Sequence, residues 1–388
     1  MKILHLFSDW KWTGPAEPTV ILCEALQKRG NQVTMAYRRA PGGAGDCIAR
    51  RISGRGIRGT DQFRLKPLGK KGKDFGVVDL FRDIAALRRF IDREKFDLIN
   101  VHHSHDHIVA GLAKRLSQKK PVLIRTDHRR DALETSWGNR LLVSEFTDGI
   151  LTFSEMAYQR DLRDLPISVE RVGQVGVALP LERYDPEGPF RNMRSGFNIR
   201  GDDVVVGMVA RFQRYRRTDV FLTSLANLVR DFPHVKALLV GRSSQMQQSV
   251  MDPIERLGIV ANVILAGYQT ENYFDTIAAM DIFVFLVAGS DGTARALREA
   301  MAMGKPTVVA RRGMLPELVE DGITGLVVDD TPENLFLALR SLIQDKELRE
   351  KMGKAGREKA LKEFRLDKQA EEVEIYYQKI LDMRRKKE

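Results

Sequence analysis

The sequence predicts two doubly wound α/β units in tandem, each a parallel sheet with helices on both faces. Three observations carry this. Short apolar runs alternate with amphipathic stretches along the chain, the pattern of parallel strands joined by crossover helices. The rhythm restarts at Asp203. The length, 388 residues, exceeds one ordinary core and suits two domains of about 150–200 residues each.

The elements follow in order. KILHLF at the N-terminus reads as a strand, and PTVILCEALQKRG as a helix stopped by Gly30. QVTMAY is the next strand. VVDLFRDIAALRRFIDRE has apolar residues at helical spacing, and DLINVH, PVLIRT and GILTFS continue the series. Pro180, Pro186, Gly188 and Pro189 mark the stretch from Gly173 to Gly201 as the link between units. DVVVGMVA opens the second unit, followed by the helix TDVFLTSLANLVRDF and the strands VKALLVG, NVILAG, DIFVFLV, PTVVA and TGLVV. The end, LDKQAEEVEIYYQKILDMRRKKE, is a helix with a basic tail.

Composition narrows the class. Apolar residues make up 43% and charged residues 30%, as in soluble globular proteins. No run approaches the roughly 18 apolar residues that span a bilayer. MKILHLF is followed at once by Ser8, Asp9 and Lys11, so it reads as a first strand rather than a leader. The two cysteines, Cys23 and Cys47, suggest neither a disulfide framework nor a zinc site, and the expected compartment is the reducing cytoplasm. The net charge of +11 calls for an anionic partner: a phosphate-bearing substrate, an anionic lipid surface or nucleic acid. Aromatics are 7% and mostly in core patterns, which argues against nucleic acid.

Tandem units of this kind bind ligands at the carboxyl ends of their strands. In SDGTARALREAMAMGKPTVV, Asp291 and Glu299 are separated by seven residues. Gly292 and Thr293 would open a helix with Asp291 near its cap, followed by Ala294 and Arg295. Its N-terminus is an anion site, and Glu299 lies about two turns further on a similar face. The alternative is a capped surface helix with an incidental carboxylate.

This segment, with GMLPELVEDGITGLVV after it, resembles the E-x7-E region of the family 4 (group 1) retaining glycosyltransferases. The resemblance runs from Met1 to about Leu381. It implies the GT-B fold, two Rossmann-like domains with parallel sheets facing across a cleft: residues 1–180 on the acceptor side, 181–365 binding the nucleotide-sugar, and the helix 366–388 packed back on the first. Asp291 stands where the family has Glu.

Further loops fit the resemblance. Arg211 ends a strand and Arg216 and Arg217 follow. The family has Arg and then Lys-Gly there, so Arg211 and Arg216 are expected to neutralise the diphosphate, against the alternative of a solvated basic loop. In WTGPAEPTVIL, Gly14 and Glu17 match the first donor loop, while Pro15 replaces a second glycine and has no N–H. Gly267 and Tyr268 are candidates for base contacts.

Five of the seven histidines fall between His102 and His128. VHHSHDH resembles a metallo-hydrolase His-x-His-x-Asp-His, but one residue is missing before the Asp, so no metal site is expected. The family's spacing of Asp97 to His102 makes His102 the expected polar group over the donor sugar, with His128 toward the acceptor.

The resemblance further implies metal-independent front-face displacement with retention. The co-substrate is a UDP-, GDP- or ADP-sugar, with no bound cofactor. The acceptor is expected to be a glycan or glycolipid, such as a lipid-carried sugar or lipopolysaccharide core. The acid-free run Arg64 to Lys73, with Lys70, Lys71 and Lys73, is either a solvated loop or the part that meets an anionic membrane surface at the inner face of the cytoplasmic membrane. A GT-B phosphorylase or epimerase, or a relative that binds sugar without turnover, is the alternative.

Overall fold

The computed structural model describes residues 1–42, 45–66, 77–129, 133, 136–288 and 294–386. The chain divides into two units.

The first unit is Met1–Ala178 with Leu366–Glu388. Its strands are β1 (Lys2–Phe7), β2 (Gln32–Tyr37), β3 (Arg58–Thr60), β4 (Leu98–Val101), β5 (Val122–Thr126), β6 (Gly149–Thr152) and β7 (Val172–Gln174). They pair in parallel in the order β3-β2-β1-β4-β5-β6-β7. β1 is buried from Ile3 to Phe7 on both faces, as a parallel sheet covered by helices requires. The order reverses between β1 and β4, which leaves a crevice outside their carboxyl ends.

The helix Leu366–Arg385 completes this unit by packing against the helix Ala16–Lys28. Its Tyr376 hydroxyl donates to the carbonyls of Arg171 at 2.7 Å and Ile150 at 3.0 Å. Tyr377 hydrogen-bonds the buried Asn100 on β4. A Cβ added at Gly149 or Gly173 would collide with Tyr376, so these two strand glycines make the socket for that ring. Glu374 accepts from Arg29 and from Asn31, both at 2.7 Å.

The second unit is Leu179–Gly289 with Ala294–Arg365. Its strands are β8 (Val204–Val209), β9 (Val235–Val240), β10 (Val263–Gly267), β11 (Ile282–Phe285), β12 (Thr307–Ala310) and β13 (Gly325–Val328). They pair in parallel in the order β10-β9-β8-β11-β12-β13, with the reversal between β8 and β11. The proline-bearing stretch from residue 179 packs on this unit. The Leu179 amide donates to Phe364 at 2.9 Å, and Tyr184 is wholly buried against Phe274. Among the described residues no helix is long and apolar enough to cross a membrane.

Candidate functional site

In the second unit, the loop leaving β8 carries Arg211, Arg216 and Arg217. Arg211, two residues past β8, is exposed. Arg216 turns back instead: its Nη1 donates to the Val287 carbonyl, just beyond β11, at 2.5 Å, and its guanidinium lies 5.2 Å from the Tyr215 ring centre. This bond spans the place where the strand order reverses. Arg217 is left-handed, with φ +59°, and donates through Nη2 to the Asp330 carbonyl at 2.9 Å. A glycine would adopt that φ freely, and the family's pattern has glycine there.

Gly241 and Gly267 bring the next two loops together. The Gly241 amide donates to the Gly267 carbonyl at 2.8 Å. Gly241 has φ +141°, and a Cβ there would overlap the Ala210 carbonyl. Beside them the Arg242 guanidinium stacks 4.3 Å from the ring centre of Tyr268, an exposed side chain. Arg242 is a member the sequence reading missed, because its pairing depends on two strand ends meeting.

Asp291, Gly292 and Thr293 lie outside the described residues. Ala294 is buried, and Arg295 begins the helix Arg295–Ala302. Glu299 is 1% exposed. Its Oε1 accepts from Tyr184 at 2.9 Å and from Arg295 Nε at 2.5 Å, and its Oε2 accepts from the Tyr273 hydroxyl at 2.5 Å. Burial first, and then the Glu299 charge, push both tyrosine hydroxyls up in pKa, so they stay protonated donors. Three bonds use most of the roughly four lone-pair sites of a carboxylate. Nothing in the sequence around Glu299 signals Tyr184, which is 115 residues away.

In the first unit, Gly14 is exposed in the turn before the helix Ala16–Lys28. Thr19, in that helix, donates to the Pro15 carbonyl at 2.8 Å. The histidines of VHHSHDH disperse. His103 caps the helix Ser104–Leu116, with the Asp106 carboxylate accepting from its amide at 3.0 Å. His107 accepts from Arg125 at 2.9 Å and donates to Thr147 at 2.6 Å.

His102 joins His5 and His128 in a row. His5 Nδ1 is 3.1 Å from His102 Nε2, and His102 Nδ1 is 3.0 Å from His128 Nε2. Both ring nitrogens of His102 are thereby taken. Burial pushes His5 and His128 down to about 3 and His102 well below its ordinary value, so the three rings are neutral. His5 also escaped the sequence reading; its one signal is a polar residue in the middle of the doubly buried strand KILHLF. The rings bond to each other and do not converge on a point. Among the described residues no group of three His, Cys, Asp or Glu side chains is arranged to hold a metal ion.

A charged cluster follows β5 and β6. Asp127 accepts from Arg129 Nε and Nη2, both at 2.6 Å, and from Arg160 Nη2 at 2.7 Å. Burial opposes ionisation of Asp127, but these guanidiniums outweigh it and hold the carboxyl low. Arg64 and Lys66 both pair with Asp79 of the helix Val77–Glu94, so an acid the run itself lacks partly neutralises its start. Val78 and Phe81 of that helix are 62% and 66% exposed. Lys70, Lys71 and Lys73 lie outside the described residues.

Comparison with known proteins gives a consistent picture. The family described as glycosyl transferases group 1 matches residues 189–359, and glycosyltransferase family 4 matches residues 18–175. The N-acetyl-alpha-D-glucosaminyl L-malate synthase of Bacillus anthracis is 25% identical over 296 residues, 74% of this chain and 76% of that protein. A D-inositol 3-phosphate glycosyltransferase of Segniliparus rotundus is 30% identical over 191 residues, 48% of this chain and 42% of that protein. Anabaena HepE, solved in complex with UDP and glucose, superposes with a TM-score of 0.77 at 18% identity, over 97% of this chain and 98% of its own.

Proposed function

Because this chain belongs to the group 1, family 4 glycosyltransferases and has their GT-B fold, we propose that it moves a hexose-type sugar from a nucleotide-sugar to an acceptor hydroxyl, with retention and without a metal ion. The observation that carries this is the Arg216–Val287 bond, which holds a guanidinium at the reversal between β8 and β11, with Arg211 exposed in the same loop. Crevices of that kind take nucleotides, and HepE holds UDP.

In this reading the bond from the anomeric carbon to the diphosphate oxygen breaks first. Arg211 and Arg216 stabilise the departing charge. The acceptor hydroxyl then bonds to the anomeric carbon on the face the diphosphate left, and its proton passes to a diphosphate oxygen. No enzymic base is needed, and two guanidiniums do the neutralising that a divalent ion would otherwise do. Arg242 stacked on Tyr268 is a flat surface suited to a nucleobase. Glu299, held by two tyrosines, keeps one lone pair on Oε2 for a ribose hydroxyl.

The acceptor is a glycan or glycolipid of cell-envelope synthesis, such as a lipid-carried sugar or lipopolysaccharide core, met at an anionic membrane surface. The exposed Val78 and Phe81 beside the basic run support this.

The test is a thermal-shift screen with UDP-, GDP- and ADP-sugars, since a bound ligand raises apparent stability by mass action. NMR of the anomeric proton of the transferred sugar follows. No shift with any of them removes the nucleotide-sugar reading; an inverted product removes front-face displacement.

A further inference from the structure

The row His5–His102–His128 has only two arrangements of neutral rings. Each nitrogen–nitrogen hydrogen bond needs one protonated and one bare partner. The two bonds at 3.1 and 3.0 Å therefore force all three rings to carry hydrogen on Nδ1, or all three on Nε2.

Thr19 decides between them. Its hydroxyl hydrogen goes to the Pro15 carbonyl at 2.8 Å. What it turns toward His102 Nδ1, 3.5 Å away, is a lone pair. A bare Nδ1 would set lone pair against lone pair; a protonated Nδ1 shares its hydrogen between His128 and Thr19. The ends of the row do not decide: among the described residues neither His5 Nε2 nor His128 Nδ1 has a hydrogen-bond partner, so either form leaves one buried N–H unpaired.

We propose that Thr19 locks the row in the Nδ1–H form, so that His128 offers a donor N–H, not a basic lone pair, at the carboxyl end of β5. Among the described residues His128 Nδ1, the other end of the row, has no hydrogen-bond partner. Its complement is an oxygen of a bound sugar, either donor or acceptor. This use of the N–H rests on the glycosyltransferase reading; the tautomer does not. His5, His102 and Thr19 are positioning residues. A donor at His128 suits a transfer in which the leaving diphosphate, not a histidine, takes the acceptor's proton.

The experiment is long-range proton–nitrogen NMR of the full chain carrying 15N-labelled histidine. Single His→Gln variants assign the rings. His102 and His128 should each show a protonated Nδ1 and a bare Nε2, the minor form of free imidazole. Thr19→Ser should keep that pattern. Thr19→Val, which keeps the shape but loses the oxygen, should shift the rings toward the Nε2–H form. It should also lower kcat about tenfold, the worth of one misdirected hydrogen bond, with the donor KM little changed. Hydrogen on Nε2 of His102 and His128 in the wild type overturns the proposal, and so does an unaltered Nδ1–H pattern in Thr19→Val. The spectra need no substrate. Nδ1–H rings in a protein that transfers no sugar would count against the transferase reading alone.

Discussion

The Tyr273 hydroxyl donates a 2.5 Å hydrogen bond to Glu299, a residue with 1% of its surface exposed. With Tyr184 on the other oxygen, this fastens the helix Arg295–Ala302 to two segments distant in sequence. Tyr273→Phe should lower stability by roughly 1.5–3 kcal/mol, the usual worth of a bond to a charged acceptor. Urea unfolding reads the loss. Nucleotide-sugar titration of the same variant should show weaker donor binding, and Glu299→Ala should weaken it more than any other carboxylate change.

Arg211→Ala and Arg216→Ala should each reduce kcat by about 10²–10³, the effect of removing one preorganised donor from a developing negative charge. Circular dichroism should be unchanged for Arg211→Ala. Arg216→Ala also releases Val287 and should unfold earlier on heating. Near-normal turnover in both would end the diphosphate assignment.

Arg217 is held left-handed at φ +59°, which costs about 1 kcal/mol in a residue with a Cβ. Its half-exposed ion pair with Asp330, 3.3 Å long, is worth at most about 1 kcal/mol. Arg217→Gly should therefore change stability by less than about 1 kcal/mol. Arg217→Ala keeps the strain, loses the pair and should be the less stable of the two. Parallel denaturant titrations decide the order.

The buried histidine row makes the fold acid-sensitive. His5 and His128 have folded values near 3, below the unfolded value of about 6.5. Above about pH 6.5 they cost nothing. As pH falls below that, the unfolded chain takes up protons that the folded one refuses, and stability is lost down to about pH 3. By about pH 5 the loss is on the order of 1–2 kcal/mol per histidine. Urea midpoints at about pH 7.5 and about pH 5 should separate, and the gap should narrow in His5→Phe.

Flotation tests the membrane reading. The protein should rise with anionic vesicles at low salt and stay behind at about 1 M, where the Debye length is about 3 Å. Replacing Lys70, Lys71 and Lys73 by Glu, or Phe81 by Ser, should weaken flotation and leave donor binding intact. A wild type that ignores the vesicles at low salt points to a soluble acceptor.

Much of the fold was written in short apolar runs. KILHLF, DLINVH and VKALLVG all lie where strands form, because a strand covered on both faces needs little besides apolar residues. The edge strands β3 and β7 were not legible: RGT and VGQ are three residues each and carry no apolar run. The positions of Arg211 and Arg216 after a strand could be read from spacing. The Val287 carbonyl, the tyrosines on Glu299 and the partners of His102 could not, since each is brought in by a crossover. The run Arg64 to Lys66 looked free of acid because its counter-ion, Asp79, waits in the next helix.

The socket for Tyr376 also sets an order of events during synthesis. Its glycines, Gly149 and Gly173, lie in β6 and β7, yet the ring that fills it, Tyr376, comes more than 200 residues later. At about 5–20 residues per second, roughly 10–40 s pass on the ribosome before Tyr376 exists. Through that interval the first unit lacks the part of its core that Val373, Tyr376, Tyr377 and Ile380 fill, while the whole second unit is made. The nascent chain thus carries an open apolar groove during the longest part of its manufacture, and chaperone demand should concentrate on that window.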